Sequence, residues 1–275
     1  MARFGHWVGS FAMGTTRRTV RSLVALAAVW AAMTAMVVPG AGAIVYGGPD
    51  GDAHPNVGSL VFSLPDVTLQ VCSGTLIAPR VFLTAAHCLY GLESVPFTVT
   101  FDHTISASSR MYAGHGIVHP LYTDYKGRGG HSEPHDIAVF LLDEAPAGIT
   151  PAPIAGLGYL DAHKQTLRSS RFVAVGYGSV RTTRTGGANN ILSNTERRVA
   201  TSGFMSLENA WLNLSMNQAR GNGGTCYGDS GGPHFLDNLL VSITAVGDTQ
   251  CKATDGTYRI DTPTAQNFLA PYLHG

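Results

Sequence analysis

The sequence predicts an all-β fold, and three observations support this. Short segments rich in β-branched and aromatic residues recur along the chain, and turn residues separate them. The chain holds 33 glycines and 14 prolines, which are typical of turns, while only 13% of its residues are charged. Its 275 residues, 44% of them hydrophobic, suffice for one large or two small cores. The pattern alone does not distinguish a sandwich from barrels.

The predicted strands fall into two groups. The first half of the chain contains strands at 57–64, 68–76, 80–85, 98–103, 114–118 and 137–142. Residues 143–158 hold three prolines and three glycines and are predicted to link the two halves. The second half repeats the pattern at 171–175, 195–199, 211–216, 234–235, 239–246 and 257–261. A short helix is predicted at 263–273, with Thr262 as its N-cap and Pro263 in its first turn.

The first 43 residues have the pattern of a secretory signal peptide. Arg17, Arg18 and Arg21 precede an apolar run at 23–38, and a small-residue cleavage site, Ala-Gly-Ala, ends at residue 43. The alternative is a retained membrane anchor, but the 16 residues of the run are short for a membrane span. We therefore expect a secreted, extracellular protein that has no stable membrane anchor once residues 1–43 are removed.

Charge and cysteine content indicate the partners and the compartment. Residues 1–43 hold four arginines and no acidic residue, which leaves 14 basic and 18 acidic residues in the rest of the chain. Since no basic patch is present, we expect no nucleic-acid partner. The four cysteines of an exported chain predict disulfide bonds. Four cysteines allow three pairings, and their spacing does not choose among them.

One serine, Ser230, lies in the glycine-rich segment 224–233, Gly-Thr-Cys-Tyr-Gly-Asp-Ser-Gly-Gly-Pro. Such a loop can present a hydroxyl beside backbone N–H groups that point at a developing oxyanion. A serine becomes a good nucleophile only with a base and a third group that orients the base. His87 ends an apolar strand and Asp136 begins another, and these two residues can fill both roles. Without them, the segment would be read as a glycine-rich turn.

The chain order His, Asp, Ser and four motifs carry a resemblance to a known family. The motifs lie at 44–48 (Ile-Val-Tyr-Gly-Gly), 84–88 (Thr-Ala-Ala-His-Cys), 136–141 (Asp-Ile-Ala-Val-Phe-Leu) and 228–233 (Gly-Asp-Ser-Gly-Gly-Pro). From Ile44 to its end, the chain resembles the trypsin/chymotrypsin-like serine proteases. The resemblance implies two six-stranded Greek-key β-barrels, at about 44–150 and 159–262, with the active site in the cleft between them. A closing helix at 263–273 would complete this domain at 44–275.

The resemblance also implies the roles of the candidate catalytic residues. Ser230 would be the nucleophile, His87 the general base and then the general acid, and Asp136 the group that orients the imidazole. The backbone N–H groups of Gly228 and Ser230 would form the oxyanion hole. His87 and its neighbour Cys88 form an alternative metal pair. The cysteine has a better partner in a disulfide, so we expect no metal and no other cofactor.

Two disulfides and one ion pair are implied in the same way. The disulfides, which would brace the histidine loop and the walls of the substrate pocket, are Cys72–Cys88 and Cys226–Cys251. Cleavage after Ala43 would free the ammonium group of Ile44, which would pair with the buried Asp229 and order the oxyanion loop. Because signal cleavage would itself create this terminus, we expect no separate zymogen.

The substrate pocket that the resemblance implies is open and uncharged. Its residues are Gly224 at the floor and Val246, Gly247 and Gly256 in the walls. A cationic side chain would find no counter-charge there, so an apolar P1 residue is predicted. Asp248 and Asp255 lie near the rim. A shift of one residue in the alignment would place an acid inside the pocket and favour a basic P1 residue instead.

We therefore predict a secreted serine endopeptidase that hydrolyses peptide bonds of protein or peptide substrates through an acyl-enzyme, as a monomer. The alternative is a catalytically silent relative that serves as a binding module, and the intact His87, Asp136 and Ser230 argue against it. An esterase or lipase would need a nucleophile elbow and a different chain order.

Overall fold

The computed structural model describes residues 44–64, 67–92, 94–124, 132–181 and 190–273. The predicted signal peptide at 1–43 lies outside these ranges and stays a prediction. Within them, none of the helices combines the length and the hydrophobicity that crossing a lipid bilayer requires. The regular secondary structure of the described chain consists mainly of short antiparallel strands.

The first barrel contains six strands and follows a two-residue strand, β1 (Gly48–Pro49). Its strands are β2 (Val57–Leu64), β3 (Val67–Ala78), β4 (Val81–Thr84), β5 (Phe97–Thr100), β6 (Tyr112–Val118) and β7 (Ala138–Leu142). The neighbours run in the order β2-β3-β4-β7-β6-β5, and pairing between β5 and β2 closes the barrel. Because β7 pairs with β4 and not with β5, the ends of two strands distant in sequence come together.

The second barrel has the same topology. Its strands are β8 (Arg171–Gly176), β11 (Arg198–Leu207), β12 (Trp211–Ser215), β13 (Pro233–Leu236), β14 (Leu239–Gly247) and β15 (Thr254–Arg259), and a small hairpin, β9 (Val180–Arg181) with β10 (Ile191–Leu192), lies between β8 and β11. The order is β8-β11-β12-β15-β14-β13, and pairing between β13 and β8 closes it. β1 pairs with β11 and so ties the start of the described chain to this barrel. The predicted all-β class and the two six-stranded barrels are confirmed.

Buried apolar side chains fill both barrels. Leu60, Phe82 and Phe140 lie in the core of the first barrel, and Leu212 and Val241 lie in the core of the second. Each is at most 1% exposed. Burying one such side chain contributes about 1.5–3 kcal/mol. The packed interiors therefore hold the strand ends, and with them the loops that carry the candidate catalytic residues.

The described part of the chain contains two α-helices, α1 (Tyr159–Ala162) and α2 (Pro263–Leu273). The second has the bounds that the sequence predicts. Thr262 caps it, since its hydroxyl accepts a hydrogen bond from the backbone N–H of Ala265 at 3.2 Å. The largest difference from prediction is β11, which was expected at 195–199. The polar stretch Thr-Ser-Gly at 201–203 lacks the apolar pattern of a strand, so the sequence predicts an earlier end. Pairing with both β8 and β12 extends the strand to Leu207.

Candidate active site

His87 and Asp136 meet because the strands beside them are paired. β4 and β7 pair through Thr84 and Ala138, so the chain after β4 and the chain before β7 lie at one edge of the first barrel. His87 lies in a single 3₁₀ turn, Ala86–Cys88, directly after β4. Asp136 lies two residues before β7.

Asp136 holds the histidine by two hydrogen bonds. Its Oδ2 lies 2.8 Å from His87 Nδ1, and its Oδ1 accepts the backbone N–H of His87 at 2.9 Å. The carboxylate is fully buried, while the His87 side chain remains 30% exposed. Because a carboxylate only accepts hydrogen bonds, Nδ1 carries the proton. The other ring nitrogen, Nε2, is therefore left to act as a base.

The surroundings of His87 favour its charged form. Burial of the imidazole lowers its pKa, but attraction to Asp136 and the hydrogen bond between them outweigh burial. A further attraction to Asp124 acts in the same direction, and the pKa of His87 is raised above its ordinary value. The site can thus stabilise an imidazolium at this position.

Ser230 lies on a loop that both barrels hold. Its carbonyl oxygen accepts the backbone N–H of Ser73 from the first barrel at 2.9 Å. The next residue, Gly231, donates its N–H to the carbonyl of Thr244 on β14 at 2.8 Å. Gly231 has a φ of 78°, in the left-handed region that favours glycine. Ser230 and His87 line the same cavity, which has a volume of about 460 Å³.

Two backbone N–H groups of this loop have no acceptor within the described ranges of the chain. In the described part of the chain, neither the N–H of Gly228 nor that of Ser230 donates a hydrogen bond. The N–H between them, that of Asp229, donates to the carbonyl of Cys226 at 3.0 Å. Gly228 has a φ of 93°, which only glycine adopts readily. The loop can therefore offer two donors on either side of Asp229.

Comparison with known proteins places this chain in a family. The family model described as Trypsin matches residues 49–269. The chain belongs to the trypsin family. It is 28% identical to a trypsin of Saccharopolyspora erythraea, over 74% of this chain and 87% of that protein. It is 27% identical to a chymotrypsin of Phaedon cochleariae, over 70% of this chain and 68% of that one. It is 30% identical to kallikrein 1-related peptidase b11 of Mus musculus, over 68% and 75%.

A solved structure supports the fold independently. The structure titled HL collagenase superposes with a TM-score of 0.61 at 18% sequence identity, covering 82% of this chain and 95% of that chain. At this identity the likeness shows the fold alone. Membership of the trypsin family makes the protein a serine endopeptidase, a hydrolase that acts on protein or peptide substrates.

In this trypsin-family member, Asp229 is buried among backbone donors. Its carboxylate accepts the N–H of Gly178 at 2.8 Å and that of Cys226 at 2.9 Å. Burial raises the pKa of Asp229 to about 7, against the lowering effect of these hydrogen bonds. Ile44 is also fully buried, beside Ala174 and Ala200. Among the described contacts, Ile44 and Asp229 form neither a hydrogen bond nor an ion pair with each other.

The predicted pocket residues divide into two sets. Val246 and Gly247 line the cavity beside Ser230, together with Thr225, Cys226, Tyr227, Thr244, Ala245, Thr249 and Cys251. Gly224 and Gly256 do not line it. A Cβ on Gly224 would collide with Met216, and a Cβ on Gly256 would lie 2.6 Å from Val246 Cγ2. Neighbouring side chains thus separate these two glycines from the cavity.

The two acids near the predicted rim are both engaged elsewhere. Asp248 lines the cavity, but its carboxylate accepts backbone N–H groups from the loop that follows, Gln250, Lys252, Ala253 and Thr254. Although burial opposes it, these hydrogen bonds lower the pKa of Asp248. Asp255 is fully buried, and its Oδ2 lies 3.0 Å from His234 Nε2. It contributes no charge to the cavity surface.

The structure contains two disulfides, Cys72–Cys88 and Cys226–Cys251, which is the pairing that the resemblance implies. The first closes the segment 72–88, which contains His87, and the second joins two walls of the cavity. Among the described residues, one group of three potential metal ligands lies close together, namely Cys72, His87 and Cys88. Both sulfur atoms are bonded to each other, so this group offers no thiolate to a metal.

Sequence reasoning missed several residues at the site. Tyr122 and Asp124 line the cavity from the segment that follows β6. Gln70 and Ser73, both on β3, donate hydrogen bonds to the carbonyl oxygen of Gly228. The available signal was a polar side chain within an apolar strand, Leu-Gln-Val-Cys-Ser at 69–73. Such a residue needs a hydrogen-bond partner, but the sequence does not name it.

Proposed function

We propose that this trypsin-family endopeptidase is a secreted enzyme that works through a triad of His87, Asp136 and Ser230. The observation that carries the proposal is the pair of hydrogen bonds that His87 donates to the Asp136 carboxylate, from its backbone N–H and from Nδ1. His87 lines the same cavity as Ser230. The carboxylate holds the tautomer in which Nε2 is basic, which is the state that a general base needs.

In the proposed reaction, Ser230 Oγ attacks the carbonyl carbon of the substrate while His87 Nε2 takes its proton. The N–H groups of Gly228 and Ser230 bind the oxyanion that forms. The carbon–nitrogen bond then breaks, the amine leaves with the proton from His87, and an acyl-enzyme remains. Water repeats the sequence, giving its proton to His87 and its oxygen to the acyl group, and Ser230 is regenerated.

Activation would depend on the chain being cut before Ile44. This residue has a φ of 44°, a conformation that a β-branched side chain rarely adopts. A residue with a free amino terminus has no φ, so a cut there removes the strain. It also creates an ammonium group for Asp229, an acid whose pKa is raised by burial in spite of its backbone hydrogen-bond donors. Removal of residues 1–43 as a signal peptide would perform this cut during export.

The cavity favours an apolar P1 residue. Its inner surface includes Ala245, Val246 and a disulfide, and the carboxylate of Asp248 is already saturated by backbone donors. A basic P1 side chain would have to compete with those donors for its counter-charge. In a panel of peptide amides we therefore expect Leu, Met or Phe at P1 to be cleaved faster than Arg or Lys. The opposite preference would contradict the proposal and point to Asp248.

The decisive experiment is the intact mass of the secreted protein with and without a fluorophosphonate, compared with a Ser230→Ala variant. We expect a chain that begins at Ile44 and gains one adduct, on Ser230, and a variant that gains none. A chain that begins upstream of Ile44 would contradict the export-coupled cut. A chain that begins at Ile44 and stays unlabelled would contradict the triad and favour a silent binding module.

A further inference from the structure

The carbonyl oxygen of Gly228 is held by two side chains of the first barrel. Gln70 Nε2 donates to it at 2.7 Å and Ser73 Oγ at 3.0 Å. The backbone N–H of Ser73 also donates to the carbonyl of Ser230 at 2.9 Å. A single strand, β3, thus directs three hydrogen bonds to the loop that carries the proposed nucleophile.

A β-bulge directs Gln70 toward this loop. Leu60 on β2 pairs with Cys72, and the next residue, Val61, pairs with Gln70, so Val71 is the extra residue of the bulge. Bulges of this kind re-aim a neighbouring side chain. The fit is close, since a Cβ on Gly228 would collide with Gln70 Oε1. The amide therefore rests directly on the backbone of Gly228.

The Ser73 hydroxyl joins this contact to the buried acid of the loop. It accepts the backbone N–H of Tyr177 at 3.0 Å and donates to the Gly228 carbonyl. The next N–H along the chain, that of Gly178, donates to Asp229 Oδ1 at 2.8 Å. Two consecutive N–H groups thus support the Gly228 carbonyl and the Asp229 side chain. Ser73 is fully buried, so water does not substitute for it.

These contacts restrict how the loop can rotate. Turning the peptide bond after Gly228 would break the hydrogen bonds from Gln70 and Ser73 at its carbonyl, and the one from the Asp229 N–H to Cys226. With that peptide held, the N–H groups of Gly228 and Ser230 stay without a hydrogen-bond acceptor among the described residues. Donors that are already oriented need no reorganisation when the oxyanion forms.

We propose that Gln70, supported by Ser73, is a positioning residue that holds the Gly228 carbonyl so that the Gly228 and Ser230 N–H groups face the oxyanion. The inference rests on the proposed function, because it assumes that these N–H groups form the hole. Since the hole binds the transition state more strongly than the substrate, loss of the positioning should lower kcat and leave KM nearly unchanged.

The test compares Gln70→Leu, which removes the donor and keeps the size, with Thr68→Ala, an exposed change on the same strand. The substrate is a chromogenic peptide amide with no residue after the scissile bond, so contacts of β3 with a longer substrate do not contribute. Loss of a direct hole donor costs about 10²–10³ in kcat. For indirect positioning we expect about a ten-fold loss in kcat with KM within about two-fold. Thr68→Ala should match the parent enzyme.

Two further variants and one inhibitor separate positioning from mere structure. Gln70→Glu keeps the shape but presents a second acceptor to the carbonyl, so its kcat should fall further. Gln70→His restores an N–H donor and should recover part of the loss. A peptide aldehyde forms an adduct with Ser230 that carries the oxyanion. Its affinity for the Leu variant should therefore fall by about the same factor as kcat. The affinity of the matching non-covalent peptide alcohol should not change.

The outcomes distinguish this inference from the function on which it rests. Full activity of Ser230→Ala would remove both. If Ser230→Ala is inactive but Gln70→Leu keeps the parent kcat, only the positioning role is wrong. A raised KM at unchanged kcat would assign Gln70 a structural role and contradict the inference. The same conclusion would follow if the affinities for the aldehyde and the alcohol fell equally and the melting temperature were lower. Should the Leu variant fail to fold, the isosteric Glu variant decides the matter.

Discussion

The two barrels share one strand order but differ in what they bury. On the strands of the first barrel, in the described part of the chain, the buried polar side chains are all hydroxyls: Ser59, Ser73, Thr75, Thr84 and Thr100. The strands of the second barrel bury charged or titratable groups as well: Arg198, His234, Asp255 and Arg259. The same strand topology is therefore compatible with burying only apolar and hydroxyl side chains on its strands, and with burying charged or titratable side chains as well.

The difference shows two uses of a buried charge. At the edge of the first barrel, Asp136 is paired with His87, a side chain that reaches the cavity. In the second barrel, Asp255 is paired with His234, and both are fully buried. Removing a charge from water is costly unless a partner compensates it. We infer that the pair of Asp136 and His87 serves catalysis, whereas the pair of Asp255 and His234 stabilises the fold.

The largest effect should come from the pair at the first barrel. Asp136→Asn keeps the size of the side chain but no longer holds the correct tautomer of His87, so we expect kcat to fall about 10⁴-fold. Stability should fall by no more than about 1–2 kcal/mol. The exposed acid Glu144, changed to Gln, is the control and should leave both unchanged. An Asp136→Asn enzyme within ten-fold of the parent kcat would show that this pair is structural too.

The pair in the second barrel should behave in the opposite way. His234→Leu leaves Asp255 buried without its partner, and we expect a loss of about 3–5 kcal/mol in the free energy of unfolding, measured in urea. A double change of both residues to Leu should recover most of that loss, because it removes the uncompensated charge. The folded fraction should retain its kcat. A His234→Leu variant with parental stability but a lowered kcat would contradict the structural role of this pair.

An effect on stability that depends on pH is expected at Asp229. In the uncut chain burial raises its pKa from 3.8 to about 7, so the folded state binds more protons than the unfolded state between these values. The contribution of Asp229 to the free energy of unfolding is therefore fully present below about pH 4. It is lost as the pH rises to about 7, at up to about 1.4 kcal/mol per pH unit.

Comparison of two forms of the protein checks this sign. In a chain that begins at Ile44, the ammonium group would lower the pKa of Asp229, and the decline between pH 4 and 7 should disappear or reverse. Urea unfolding of two forms of the Ser230→Ala protein, the uncut chain and the chain that starts at Ile44, would measure the slope of the free energy of unfolding against pH in each. The substitution prevents self-digestion. Equal slopes in the two forms would contradict the proposed ion pair.

Prediction from sequence succeeded where local signals were strong. The bounds of helix α2 were readable because Thr262 is a good cap and Pro263 suits a first turn. Most strands were found by their β-branched and apolar residues, but β11 was placed too early, since its polar middle is stabilised only by its neighbours. Gly224 and Gly256 were expected to line the cavity, and the side chains that cover them, Met216 and Val246, come from other strands or their ends.

By itself, the sequence determined the residue types that the chemistry needs and their order along the chain, because a nucleophile, a base and an acid are recognisable one at a time. The tertiary structure decided which groups meet. It placed Asp255 against His234 and not in the cavity, and it brought Gln70 to Gly228, 158 positions away in the chain. Contacts of this kind arise from strand pairing and bulges. They depend on the packing of the whole barrel, and no local propensity encodes them.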